Sequence, residues 1–174
     1  MPSFRLRLQH YFVAAMMRVV GWGLRAMSRS DPVVRSEATG FADGMLIEMT
    51  VLPGGPGMVL QKRPDGRLAY LGSRPPHRPE LSIRFKHLSH AFAVLSFQES
   101  TPAAFARGRL VVDGDLAAGV RLVRCLYRLE AVLLPHVIAA RGMKRYPRGL
   151  GLMEKLGLNL RVYGRMAIDL LARS

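Results

Sequence analysis

Over "MLIEMTVL", apolar and polar residues alternate: Met45, Ile47, Met49 and Val51 share one side, Glu48 and Thr50 the other. A period of two belongs to a strand with one buried face. "ELSIRF" alternates likewise, with Leu81, Ile83 and Phe85 facing one way. "MVLQK" and "RLAYL" flank Pro64-Asp65-Gly66, and an Asp-Gly step between apolar runs signals a hairpin. The period then lengthens. In "KHLSHAFAVLSFQ", Leu88, Phe92 and Leu95 recur at helical spacing. Thr101 is expected to cap a short turn with Pro102 in its first position, and "RLVV" supplies another strand. Asp115 is placed to cap a long helix from about Leu116 to Leu134. "SDPVVRSEATGFADG" reads as a link followed by a turn, and "GSRPPHRP" as a loop of polyproline character. The order helix, strands, helix, strand, long helix predicts an α+β fold. Its sheet is antiparallel-rich and five-stranded, covered by helices on one face, with amphipathic helices added at both ends.

Composition limits what this fold does. The 174 residues are 49% hydrophobic and 22% charged, which argues for a packed domain and against disorder. Three segments are expected: a basic amphipathic helix over 1–30, a domain over 41–140 and a second amphipathic helix over 147–174. The net charge of +14 is carried almost wholly by arginine, since Lys62, Lys86, Lys144 and Lys155 are the only lysines. Such a chain favours a polyanionic partner, either nucleic acid or an anionic membrane. The nucleic-acid reading would place phosphates on Arg141, Lys144, Arg145 and Arg148, but no RNA- or DNA-binding motif appears in the chain. The membrane reading rests on residues 1–30. At 100° per residue Arg7, Arg18, Arg25 and Arg29 fall within about 40° of one another, with Trp22 off that line. A helix of this kind lies in a bilayer interface, or packs its apolar side on the domain and leaves its arginines in water. Its apolar stretch is too short to span a membrane. The single cysteine, Cys125, excludes an internal disulfide and fits a reducing interior; the expected location is cytoplasmic, peripheral to the inner membrane.

Catalytic signals are weak. "PGGPG" at 53–57 lacks the helix and lysine of a phosphate cradle and reads as a turn. His87 and His90 have no carboxylate or third histidine nearby, so no metal site is expected. Asp113 flanks a turn and Asp115 caps a helix, which leaves no acid–base pair. Cys125 lies between the faces of the long helix, where an inert thiol is usual. The expectation is a non-enzymatic protein without a cofactor.

"ELSIRF…AFAVLSFQESTPAAFARGRLVVDGDLAAGVRL" resembles the sterol carrier protein type 2 family over roughly residues 41 to 140, most specifically at Phe105, Gly108, Gly114 and Asp115. Within that superfamily, "GRLVVDGDLAAGVRLVRCLYRLEAVLLP" is similar to the bacterial accessory factors of oxygen-independent ubiquinone biosynthesis, through Arg109-Leu110-Val111, Gly114-Asp115, Gly119, Glu130 and Pro135. The resemblance implies an apolar tunnel between sheet and helices for a lipid, sterol, acyl chain or isoprenoid quinone precursor, with biosynthetic enzymes as possible partners. Helix phase together with this analogy gives an expected lining of Phe92, Leu95, Phe105, Val120, Val123 and Leu126.

Glu130 is the most informative residue of the long helix. Arg121, Arg124 and Arg128 form its polar face, and Glu130 falls at about 180° from Arg121, among leucines. A carboxylate so placed is paired, hydrogen-bonded or protonated, because an isolated buried charge costs several kcal/mol. Two readings stand: a structural partner inside the fold, or the hydroxyl or ring group of a ligand.

Overall fold

The computed structural model describes residues 4–133. Its elements are α1 (Phe4–Ser30), α2 (Pro32–Thr39), β1 (Leu46–Val51), β2 (Gly57–Lys62), β3 (Leu68–Gly72), β4 (Leu81–Phe85), α3 (Leu88–Leu95), α4 (Thr101–Ala106), β5 (Leu110–Gly114) and α5 (Leu116–Leu133). The C-terminal helix expected over 147–174 and the end of the 41–140 segment lie outside the described residues.

The fold is α+β, built on one five-stranded sheet of order β3-β2-β1-β4-β5. Three neighbouring pairs are antiparallel, whereas β1 and β4 run parallel, so the sheet is mixed. A parallel neighbour cannot be reached by a tight turn. Residues 73–80, the Pro-rich loop, therefore carry the chain from β3 past β2 and β1 to the start of β4.

Register puts the apolar set of each strand on one side. Ile47 lies opposite Leu60, Met49 opposite Met58, and Phe85 opposite Leu110. These side chains are buried under the helices. The other side is polar: the Ser82 hydroxyl donates to Glu48 at 2.7 Å, and Arg84 donates to Ser82 at 3.0 Å and to Asp113 at 3.3 Å. Such cross-strand pairs hold the exposed face of a sheet together.

Helix α1 packs on this sheet. Val13, Met17, Leu24 and Met27 are fully buried in the same core as the strands. Each such side chain contributes roughly 1.5–3 kcal/mol by burial, which fixes α1 to the domain. The segment 31–39, expected to be a link, forms α2 instead. Asp31 accepts hydrogen bonds from the backbone N–H of Val33 (2.9 Å) and Val34 (3.0 Å), and Pro32 opens the first turn. An Asp-Pro step is a helix start as readily as a break, because proline's fixed φ suits the first position and asparagine's acidic cousin caps it. The cap of α4 likewise sits one residue earlier than expected, on Ser100 rather than Thr101.

Asp115 does cap α5: its carboxylate accepts from the Ala117 N–H at 2.8 Å. Gly114, just before it, has φ of +108°, a region L side chains rarely adopt, and a Cβ there would overlap the carbonyl oxygen of Glu80.

Candidate functional site: an apolar cavity with one carboxyl

Four layers of the fold meet around a small cavity. Met16 and Val20 of α1, Met49 of β1, Phe85 of β4, Val94 and Leu95 of α3, Phe97 and Thr101 beyond it, and Leu126, Leu129 and Glu130 of α5 form its walls. Its volume is about 40 Å³. That is room for about three or four waters, at roughly 10–15 Å³ each, so the walls nearly touch.

Each wall follows from local sequence. On α5 the spacing of Ala118, Leu122, Cys125, Leu129 and Val132 directs one stripe to the core, where all five are buried. Leu126 and Glu130, four apart, form the edge of that stripe and reach the cavity. Phe97 enters from the turn after α3, with φ of +61°. A bulky side chain in the left-handed region is uncommon.

Among the described residues Glu130 is the only ionisable side chain in the wall. Burial pushes its carboxyl up from 4.5 to about 7. Burial, and then the charge of Glu130, raise the Tyr127 hydroxyl as well. Among the described residues Glu130 has neither a hydrogen bond nor an ion pair. The other nine described carboxylates all have partners: Asp31, Glu37, Asp43, Glu48, Asp65, Glu80, Glu99, Asp113 and Asp115.

The residues expected to line a tunnel fall in different places. Leu95, Leu126 and Glu130 come together at the cavity. Phe92 is half-buried one layer away, its ring edge-on to Phe12 at 5.1 Å. Phe105 and Val120 are 51% and 47% exposed, and Val123 is half-buried outside the cavity. The α5 positions chosen from sequence sit too far round the helix. The reason is α2, which occupies the arginine side: Arg121 and Arg124 donate to Glu37 at 3.4 and 3.2 Å. Arg128 pairs with Asp31 at 2.9 Å, both side chains largely or fully buried. All three arginines pair with carboxylates at α2, Arg128 largely buried and Arg124 still 62% exposed, and this sets the rotation of α5.

The residues expected at a membrane also separate. Arg7 and Arg18 are exposed, Arg25 and Arg29 half-buried. Trp22 is 7% exposed, its ring 5.4 Å from that of Tyr70, with the Arg25 guanidinium 4.8 Å above it. The exposed apolar residues of α1 are instead Phe4, Leu6, Leu8 and Tyr11, in its first turns. Cys125 is buried, and its thiol is pushed up to about 12, chiefly by burial. The rings of His87 and His90 stand 5.0 Å apart, and no metal-binding cluster occurs among the described residues.

Sequence reasoning missed Met16, Val20 and Phe97 in the cavity wall. The first two belong to the apolar stripe of α1, a signal available once that helix is taken as part of the core. The left-handed Phe97 leaves no trace in the residue pattern.

No family model and no curated protein matches this chain. Among solved structures it is similar to domains of the sterol carrier protein 2 type. One is the UbiJ-SCP2 ubiquinone synthesis protein, with a TM-score of 0.48 and 14% identity, covering 68% of this chain and 95% of that one. Another is sterol carrier protein 2 like 2 from Aedes aegypti, with a TM-score of 0.41 and 10% identity over 63% of this chain and 94% of that one. The apo form of sterol carrier protein 2 from Yarrowia lipolytica gives 0.41 and 16%, over 62% of this chain and 85% of that one.

Proposed function

We propose that this chain binds a hydrophobic ligand between α1, α5 and the sheet, and carries or presents it at a membrane surface without chemistry of its own. The observation that carries the reading is Glu130, a carboxyl without a partner in the wall of an apolar cavity. Folding has no use for it there, whereas a ligand with a long apolar body and one hydroxyl would supply both the missing donor and the missing volume. An isoprenoid quinone precursor has that shape, and so does a sterol. The sequence likeness to accessory factors of oxygen-independent ubiquinone biosynthesis favours the former, with presentation to a biosynthetic enzyme as the role. Among the described residues Thr101 is the only other polar side chain in the wall, and with Glu130 it makes no nucleophile–base–orienter set.

A cavity of about 40 Å³ holds no lipid as it stands, so loading parts its walls. Membrane contact is assigned to the first turns of α1, where Phe4, Leu6, Leu8 and Tyr11 are exposed beside Arg5 and Arg7. Apolar side chains flanked by arginines suit the headgroup boundary. No helix of the described residues is long and apolar enough to cross a membrane.

Native mass spectrometry of the purified full chain, followed by organic extraction, tests the proposal. A stoichiometric hydrophobic ligand, reduced in Glu130→Gln, is expected. A clean apo mass with no uptake from mixed liposomes would remove the reading.

A further inference from the structure

The sheet ends on β5, and among the described residues no strand pairs with its outer edge. The Lys86 N–H donates to the Arg109 carbonyl at 3.0 Å, which makes those two a hydrogen-bonded pair of the antiparallel ladder. Such pairs alternate. The backbone of Val111 and Asp113 therefore turns towards β4, and the N–H and C=O of Leu110 and Val112 point outward. Proteins ordinarily block an open edge with proline, lysine, a bulge or a covering element. The other edge strand, β3, follows that rule. Its pairing with β2 carries a register shift, and α1 packs so close that a Cβ on Gly21 would overlap the Tyr70 ring. In β5, Leu110–Gly114 keeps register throughout and contains neither proline nor lysine.

Helix α5 overhangs this edge with apolar side chains. Gly119 lies over Val112, where a Cβ would stand 3.6 Å from the valine Cγ1. Measured from Gly119 at 100° per residue, Ala118 and Leu122 fall about 100° and 60° to one side, Leu116 and Val120 about 60° and 100° to the other. The first pair is buried in the core and the second is exposed, beside exposed Phe105 and Val111. Charge along the strand is antisymmetric. Arg107, Arg109 and Lys86 stand against Glu99 at its start, whereas Asp113, Asp115 and Glu80 stand against Arg78 and Arg84 at its end. The partners of these groups leave the start positive and the end negative.

We propose that β5 is an interface between two copies of this chain, paired antiparallel about a twofold axis so that two five-stranded sheets join into one of ten. A strand positive at one end and negative at the other is its own complement only in that orientation, and a twofold interface needs such a self-complementary surface. The outward groups of Leu110 meet those of Val112 in the second copy, which puts Val111 opposite Val111 on the axis and Arg109 opposite Asp113. Leu116 and Val120 of the two α5 helices then cover one another above the joined sheet.

Sedimentation velocity of the full chain over a range of concentrations tests the interface, with circular dichroism to verify folding. A reversible dimer is expected. Val111→Lys puts like charges face to face on the axis at an exposed position, and the dimer should weaken at least about tenfold. Leu116→Glu, exposed on a different element, should weaken it too and serves if the first variant does not fold. Val111→Cys reports the register. Directly opposed residues of a non-hydrogen-bonded pair have Cα atoms about 4.5 Å apart, within disulfide reach. Mild oxidation should therefore link two copies, with Cys125 buried and out of competition. Asp65→Cys, on the β2–β3 hairpin, should not link. A monomer at every concentration overturns the interface, as does a dimer unchanged in both charge variants. Weakening without the Val111→Cys disulfide, or equal linking through Asp65→Cys, keeps the edge and overturns the register.

Discussion

Replacing Glu130 by Gln tests the cavity carboxyl without altering its shape. In the unfolded chain Glu130 ionises near its ordinary 4.5, and in the fold near 7. Below 4.5 the side chain is neutral in both states and costs nothing. Between these values the unfolded chain has released a proton that the folded chain still holds, so stability falls as pH rises, and above 7 the loss is complete. The interval of about 2.5 pH units corresponds to about 3 kcal/mol at roughly 1.36 kcal/mol per unit. Gln carries no such dependence. Urea denaturation of ligand-free wild type and Glu130→Gln from pH 4.5 to 8, read by circular dichroism, isolates the effect, because all other titrating groups cancel in the difference. The variant should match wild type at the acid end and gain up to about 3 kcal/mol by pH 8. A difference that stays flat with pH would falsify the unpartnered carboxyl, since a paired Glu130 would ionise in the fold as easily as in the unfolded chain.

The buried pair of Arg128 and Asp31 ties α5 to α2, and Arg128→Ala should cost about 3–5 kcal/mol, because an unpaired charge is left inside; thermal melting monitors it, and a shift of only a degree or two would contradict the buried pair. Gly114→Ala places a Cβ on the Glu80 carbonyl in a left-handed backbone, so the soluble yield or melting temperature should fall sharply, and an unchanged melt would refute the turn geometry. Cys125, pushed up to about 12, should resist a thiol reagent at pH 8 until denaturant is added; prompt labelling of the folded chain would show it accessible. Phe97→Gly relieves a left-handed phenylalanine and removes one wall of the cavity, so lipid uptake from vesicles should quicken with little change in stability, and an unaltered uptake rate would place the entrance elsewhere.

Where a single period governed a segment, the sequence was readable. The alternation in β1 and β4, the Asp-Gly hairpin and the Asp115 cap all depend on contacts within a few residues, and each is present in the fold. What escaped depends on partners far along the chain. The parallel pairing of β1 and β4 spans 34 residues, Ile47 to Leu81, and no local pattern encodes it. The rotation of α5 was misjudged for the same reason. Arg121, Arg124 and Arg128 read only as a polar face, because their carboxylates, Asp31 and Glu37, are more than 80 residues away. Once those pairs turn the helix, Val120 and Val123 leave the lining and Leu129 enters it. Glu130 was legible as an apolar-side carboxyl, but whether it has a partner is a question only the packed fold answers.

The scarcity of acid in this chain sharpens that last point. Twelve carboxylates face 26 Lys and Arg, so each one is in demand as a partner. Among the described residues the demand is met with little waste: Glu37 and Glu99 each hold two arginines, and Asp31 both caps α2 and holds Arg128. Glu130 stands apart from this pattern, on the one side of α5 that its neighbours Arg124 and Arg128 cannot share. A glutamine or leucine in its place would satisfy the packing and remove the penalty that ionisation imposes at neutral pH. A carboxyl unpaired among the described residues, in the wall of a cavity that is otherwise apolar but for Thr101, is what the proposed ligand reading rests on.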